Sequence, residues 1–136
     1  MKKSEKDEFL LQLLQENARM SNVDLAKKLN LTEGAVRSRI KRLVSNGKIK
    51  KFTIDLSDRS SNSAIIMIKS KSDTKQMMAE LILLRLHEDA YEIAGEYDAC
   101  IILSGNSIEE IDKKIDKIRK LKNVIDTKTY LSLKHW

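Results

Sequence analysis

Residues 21–54, which read SNVDLAKKLNLTEGAVRSRIKRLVSNGKIKKFTI, decide the fold of this chain. Ser21, followed three residues later by Asp24, has the spacing of a helix N-cap. An apolar side follows at Leu25, Ala26 and Leu29. Asn30 tolerates the left-handed backbone of a tight turn, and Thr32 is a second N-cap residue. The pattern predicts two helices joined by a short turn.

The second helix combines a buried stripe with a basic side. At about 100° per residue, four apolar residues share the stripe: Val36, Ile40, Leu43 and Val44. The opposite side carries Gly34, Ala35, Ser38, Lys41 and Arg42, with Arg37 and Arg39 beside them. Gly47 is the predicted left-handed residue that ends the helix. Small residues with bases behind them suit close contact with an anionic partner.

Positive charge is concentrated in the same part of the chain. Residues 34–54 contain seven bases and no acid. Residues 1–56 hold 13 Lys and Arg against 7 Asp and Glu, whereas residues 57–136 hold 13 of each. The formal net charge of +6 therefore lies in the first part. One-signed charge of this kind indicates a nucleic-acid-binding domain.

Residues 16–52, ENARMSNVDLAKKLNLTEGAVRSRIKRLVSNGKIKKF, resemble the winged helix-turn-helix of the Lrp/AsnC family of transcription regulators. Ala26 and Val36 stand where this motif has an alanine and an apolar residue. Asn30 replaces the more usual turn glycine. The resemblance implies a DNA-binding domain followed by an effector-binding domain of ferredoxin-like fold.

We expect the second helix to enter the major groove of double-stranded DNA. Its candidate contacts are Thr32, Gly34, Ala35, Arg37, Ser38, Arg39, Lys41 and Arg42. Residues 48–56 alternate as a strand or wing should, and their candidate phosphate contacts are Lys48, Lys50 and Lys51. The alternative reading of these lysines is an edge strand protected against aggregation.

Composition excludes several classes of protein. Cys100 is alone, so no internal disulfide can form, and one Cys with His87 and His135 cannot supply a four-ligand zinc site. No apolar run approaches the length of a membrane span, and the charged start MKKSEKDE lacks the apolar core of a signal peptide. We expect a cytoplasmic protein of 136 residues that needs no cofactor and contacts no membrane.

The order of elements predicts an α+β chain in two domains. Residues 1–56 form the winged helix-turn-helix, with a first helix from Ser4 to Glu16 capped by Ser4 and Asp7. Residues 57–62 form a polar hinge without periodicity, and residues 63–136 form the second domain.

The second domain alternates strands and helices in the order βαββαβ, which is the ferredoxin-like arrangement. The predicted elements are strand 64–69, helix 74–86, strands 90–94 and 99–104, helix 107–121 and strand 124–134. The last helix begins with a capping box, Ser107 and Glu110, and its predicted stripe is Ile108, Ile111, Ile115 and Ile118. Both helices cover one sheet face, so the other face needs a partner. We therefore expect a homodimer through this domain, able to assemble into an octamer.

The family resemblance also implies an effector site near the glycine-bearing hairpin turn. The matching turn residues are Gly95, Glu96, Tyr97 and Asp98, and the last strand adds Thr127 and Thr129. An amino acid needs an acceptor for its ammonium and donors for its carboxylate, which these side chains supply. Because Glu96 and Asp126 add carboxylates, we expect lysine or another polar amino acid rather than leucine. An ordinary turn is the alternative interpretation.

Two other functions share parts of this pattern. An architectural protein that wraps DNA with little base specificity would use the same basic helix. Some haem-biosynthesis decarboxylases look like this family and use histidine and arginine around a tetrapyrrole. His87 follows a helix and His135 is penultimate, so neither belongs to a convincing pocket motif. We therefore expect a regulator and not an enzyme.

Overall fold

Three helices form the first part of the chain, and local sequence signals set their ends. The computed structural model describes residues 2–56 and 62–136, and its first elements are α1 (Lys3–Glu16), α2 (Asn22–Leu29) and α3 (Glu33–Ser45). The Ser21 hydroxyl accepts the Asp24 N–H at 3.1 Å, and the Thr32 hydroxyl accepts the Ala35 N–H at 3.2 Å. Both predicted caps are confirmed.

Backbone conformation confirms the two predicted turns, whereas the predicted N-terminal cap of α1 is wrong. Asn30 lies in the left-handed region with φ of 51°, and Gly47 follows α3 with φ of 77°. The backbone N–H of Lys2 donates to the Glu5 carboxylate at 2.7 Å. Asp7 does not join a cap with Ser4, because its carboxylate is bound by arginines of α3.

Apolar residues from all three helices meet in one core. The buried members are Leu10, Leu13, Leu25, Ala26, Leu29, Val36 and Leu43. Ile40 packs at its margin, but Val44 remains 45% exposed. Eight residues after Val36 the helix has turned by about 80°, so Val44 has rotated away from the core. The predicted stripe is therefore confirmed except at Val44.

Residues 48–56 do not form the predicted strand. They carry no regular secondary structure, and all but the half-buried Ile49 are exposed. A strand exists only as part of a hydrogen-bonded ladder, and within residues 2–56 no second strand is present to pair with this one. The apolar residues do alternate along this segment, but the segment does not form the strand that the alternation predicts.

The second part of the chain has the predicted βαββαβ order. Its elements are β1 (Asn62–Ser70), α4 (Thr74–Leu83), β2 (Asp89–Glu92), β3 (Ala99–Gly105), α5 (Ile108–Arg119) and β4 (Val124–Leu131). The strands form one antiparallel sheet in the order β2-β3-β1-β4. This topology confirms the ferredoxin-like fold and the α+β class.

Several predicted boundaries need correction. Residues 57–61 of the predicted hinge lie outside the described residues, and Asn62 belongs to β1. Helix α4 ends at Leu83 instead of Leu86, because Arg85 adopts a positive φ of 51° that a helix cannot contain. Strand β4 ends at Leu131, where its pairing with β1 stops.

The two faces of the sheet differ sharply in burial. The face under α4 and α5 contains the buried core, which comprises Ala64, Ile66, Ile68, Met77, Leu81, Ala99, Ile101, Leu103, Ile111, Ile115 and Ile118. Ser107 caps α5 as predicted, by accepting the Glu110 N–H at 3.1 Å, but Ile108 is exposed. We call the opposite side the open face. Its central side chains are half-buried or exposed, namely Ile65, Met67, Cys100 and Ile102.

The chain divides into two compact units, Met1–Asp55 and Leu56–Trp136. The predicted roles of these units in DNA binding and in dimerisation remain predictions at this stage. Within residues 2–56 and 62–136, no helix combines the length and apolar character that crossing a lipid bilayer requires.

Candidate functional site

The exposed side of α3 presents small and basic residues together. Burial of Val36 and Leu43 fixes the inward side of the helix, so Gly34, Ser38 and Lys41 face outward and are exposed. These three residues are separated by four and three positions, which places them along one line of the helix surface. Thr32 is exposed just before them, and Ala35 is half-buried. Nothing bulky stands at the start of this line.

Arg37 lies beside this line and pairs with an acid of its own helix. Its guanidinium donates to the Glu33 carboxylate at 2.6 Å, and both side chains are exposed. An exposed pair of this kind contributes about 0.3–0.5 kcal/mol. Such a weak pair can be exchanged for a phosphate contact, so Arg37 remains a candidate for DNA binding.

Arg39 and Arg42 are held by α1 and do not extend freely into solvent. The Arg39 guanidinium donates to the Asp7 carboxylate at 2.5 Å and to the Lys3 carbonyl at 3.2 Å. Arg42 donates to the other oxygen of Asp7. The geometry does not support the predicted DNA contact of Arg39, and it makes that of Arg42 dependent on Asp7. Helical periodicity alone could not reveal a partner on another helix.

Two further groups of lysines extend the basic surface. Lys48, Lys50 and Lys51 are exposed in the segment after α3, although that segment is not a strand. Sequence reasoning missed Lys27 and Lys28, which are exposed in the last turn of α2. The first helix of a helix-turn-helix crosses the DNA backbone, so two adjacent lysines there were a usable signal.

The predicted effector turn is tied to strand β1. Gly95 has φ of 150°, a conformation that side chains rarely adopt. The Asp98 carboxylate accepts the Ser70 N–H at 2.7 Å, and the Asp98 N–H donates to the Ile68 carbonyl at 2.9 Å. Ile93 closes the hairpin by donating to the Asp98 carbonyl at 2.9 Å. Asp98 therefore anchors the turn, and part of its accepting capacity is already used.

The structure does not bring the predicted threonines to the turn. Thr127 and Thr129 pair with Ile68 and Ile66, so they lie on the helix-covered face of the sheet. The Thr127 hydroxyl accepts from Arg119 at 3.1 Å. The Thr129 hydroxyl is buried and has no hydrogen-bond partner among the described residues. The predicted six-residue effector site is therefore divided between the hairpin turn and the helix-covered face of the sheet.

Lys128 is the residue that the structure places near the turn. It pairs with Met67 on the open face, and its ammonium lies 5.7 Å from the centre of the Tyr130 ring. Contact with the Tyr130 hydroxyl is the main cause that raises the pKa of the Lys128 ammonium, and the Glu96 carboxylate adds a smaller electrostatic effect. Sequence reasoning missed Lys128, although the alternation of β4 puts it on the opposite face of the sheet from Thr127.

The carboxylates expected to favour a lysine effector are largely engaged. Asp98 accepts the Ser70 N–H, and Asp126 accepts the Thr127 N–H at 2.9 Å. Glu96 is exposed and has only a small electrostatic effect on Lys128. With Asp98 and Asp126 engaged in backbone hydrogen bonds, the geometry gives no support to a preference for lysine.

Comparison with known proteins places this arrangement in context. Residues 4–50 match the winged helix-turn-helix DNA-binding family. The transcriptional regulator LysM of Sulfurisphaera tokodaii is 37% identical over 134 residues, covering 97% of this chain and 96% of its own length. AsnC of E. coli superposes with a TM-score of 0.72 at 26% identity, covering 96% of this chain and 92% of that one.

A second similar structure is the feast or famine regulatory protein of M. tuberculosis in complex with L-methionine. It has a TM-score of 0.77 at 24% identity and covers 97% of this chain and 92% of its own. The helix-turn-helix, its basic surface and the named regulators among the relatives define a DNA-binding transcription regulator and not an enzyme. The chain belongs to the Lrp/AsnC family.

Proposed function

We propose that α3 lies in the major groove and selects a preferred DNA sequence. The observation that carries this proposal is the exposed line of Gly34, Ser38 and Lys41, opposite the buried side of the helix. Gly34 and Ala35 allow a close approach, while Ser38 and Lys41 reach base edges. The phosphate contacts come from exposed bases around the line, namely Arg37, Lys48, Lys50 and Lys51, with Thr32 at the helix start.

Substitutions in these two groups are expected to have different signatures. Ser38→Ala should cost about 1–3 kcal/mol on the preferred sequence and relax selection at one base pair. Lys50→Gln should weaken binding to all sequences alike and make the salt dependence shallower by about 0.9. Selection from random DNA followed by salt titration measures both effects. Lys122→Gln, which removes the same charge from an exposed loop of the second unit, should change neither quantity.

The architectural alternative predicts the same surface but a different affinity ratio. A sequence-selective regulator binds its preferred site about 10³-fold or more tighter than bulk DNA. An architectural protein would bind both with nearly equal affinity. We favour the selective reading because Ser38, a residue suited to base-edge contact, lies between the small and basic positions of α3. We also propose that the protein acts in the cytoplasm, where a DNA-binding regulator reaches its DNA.

We further propose that a free amino acid regulates the protein by binding beside the hairpin turn. This proposal is supported by a similar structure, because one regulator of this fold is complexed with L-methionine. Exposed Glu96 and the neighbouring Lys128 present opposite charges to the two ends of such a zwitterion. Gly95 leaves the turn backbone accessible, Tyr97 adds a hydroxyl, and Asp98 holds the turn in place. Thr127 and Thr129 do not contact the effector in this proposal, and they contribute only by supporting the sheet next to the turn.

Calorimetry with each amino acid tests the effector proposal. We expect one or a few amino acids to bind, and Lys128→Met to weaken binding by about tenfold or more, because a hydrogen bond to a charged group contributes about 1.5–3 kcal/mol. Lys122→Gln is the control. Binding of lysine with no binding of methionine would support the preference for a lysine effector that the sequence predicts. Absence of heat for every amino acid would contradict a sensor role.

We also propose a homodimer that forms through the open face of the sheet and can assemble further to an octamer. The half-exposed apolar side chains Ile65, Met67 and Ile102 occupy the centre of that face. Tyr91 and Tyr130 flank them at the edge strands. A second copy would bury this set and place two α3 helices on two half-sites related by a two-fold axis.

A further inference from the structure

One carboxylate of α1 binds two cations of α3. Asp7 is only 21% exposed, and its two oxygens accept from Arg39 and Arg42. Arg39 is 16% exposed and is also bound to the Lys3 carbonyl, whereas Arg42 is 37% exposed. Bidentate use of a carboxylate by two guanidinium groups in a partly buried setting is screened less by salt than a surface pair.

This ion-pair cluster engages two cations of α3 that would otherwise be free to meet an anionic partner. Two of the seven bases between residues 34 and 54 are drawn toward α1, away from the line of Gly34, Ser38 and Lys41. Arg39 and Arg42 are three residues apart, so they lie on the same side of α3 and can share one carboxylate. Phosphate contacts strengthen binding to any sequence, whereas base contacts select one sequence.

We propose that Asp7 is a positioning residue for sequence selection, because it restrains Arg39 and Arg42 from sequence-independent phosphate contacts. The inference rests on the proposed contact of α3 with DNA. Without the carboxylate, both guanidinium groups swing to phosphates, while the buried side of α3 continues to orient Ser38. Binding to bulk DNA then gains these phosphate contacts in any register. The preferred site gains less, because its register is fixed by base contacts.

The test compares Asp7→Asn with Glu8→Gln, which removes one negative charge from the exposed side of the same helix. Binding to a non-preferred duplex is titrated with salt, and binding to the sequence selected from random DNA is measured in parallel. Asp7→Asn should steepen the salt slope on bulk DNA by up to about 2, since each phosphate contact contributes about 0.9. The ratio of preferred to bulk affinity should fall roughly tenfold. Glu8→Gln should leave both near wild type.

Further variants separate positioning from mere structural support. Asp7→Glu should keep the wild-type slope, and adding Arg39→Gln and Arg42→Gln to Asp7→Asn should abolish the gain. Thermal unfolding by circular dichroism accompanies each titration. A lower melting temperature and weaker binding without a steeper slope would mean that Asp7 only stabilises the fold, which overturns the inference.

Arg37→Gln, which removes a proposed phosphate contact of α3, distinguishes failure of this inference from failure of the proposed DNA contact. If Arg37→Gln makes the salt slope shallower while Asp7→Asn leaves it unchanged, only the role of Asp7 is wrong. If Arg37→Gln also leaves the slope unchanged, α3 does not contact DNA, and both proposals fall. A shallower slope for Arg37→Gln and a steeper slope for Asp7→Asn support both.

Discussion

Gly34→Leu is expected to reduce affinity for the preferred DNA sequence by about 10³-fold while the protein stays folded. A Cβ atom built at Gly34 meets no heavy atom within 4 Å, so the larger side chain extends into solvent without disturbing the unit. Leucine, like alanine, has a higher helix propensity than glycine, by up to about 1 kcal/mol. The added bulk would stand between α3 and the base edges, leaving only the weaker, sequence-independent contacts.

Gly34→Ala is the matched control for this substitution. It brings the same gain in helix propensity but adds a single methyl group, so we expect a much smaller loss of affinity. Fluorescence anisotropy with the selected duplex gives the affinities, and thermal unfolding gives the stabilities. If Gly34→Leu bound the preferred sequence as tightly as wild type, the start of α3 would not face DNA.

Local signals in the sequence were sufficient for the helix-turn-helix. The Ser21 and Thr32 caps and the turn at Asn30 depend on residues within three or four positions of each other, and all are confirmed. The ferredoxin-like order was predictable for a related reason, because each strand and helix has its own periodicity. A local pattern cannot show whether a second strand is available to pair with a segment. Residues 48–56 alternate as a strand would, but no second strand is present within residues 2–56.

Contacts between distant residues decided the rest. Arg39 and Arg42 have the helical positions of DNA-facing bases, but Asp7, 32 and 35 residues away, draws them to α1. Alternation along β4 correctly put Thr127 and Thr129 on one face. Only the sheet order and the placement of α5 determine that this face is covered. The same pairing puts Lys128 on the open face opposite Met67, on the other side of β4 from the two threonines.

Leu25→Ala is expected to unfold the first unit and abolish DNA binding while the second unit stays folded and dimeric. Leu25 is fully buried in the core of the three helices. A Leu→Ala change in a core costs about 2–5 kcal/mol, and a single core in a domain this small rarely supplies more than about 3–5 kcal/mol. Far-UV circular dichroism should lose helical signal, and resonances of residues 62–131 should persist in NMR spectra.

Val23→Ala controls for this prediction within the same helix. Val23 is half-exposed, so its truncation should change stability by less than about 0.5 kcal/mol and leave DNA binding intact.

Light scattering should report a dimer for wild type, Leu25→Ala and Val23→Ala. Ile65→Lys on the open face should give a folded monomer instead, because burying a charge at the interface is unfavourable. Loss of both units together in Leu25→Ala would show that the second unit does not fold independently, and a monomeric wild type would exclude the proposed dimer.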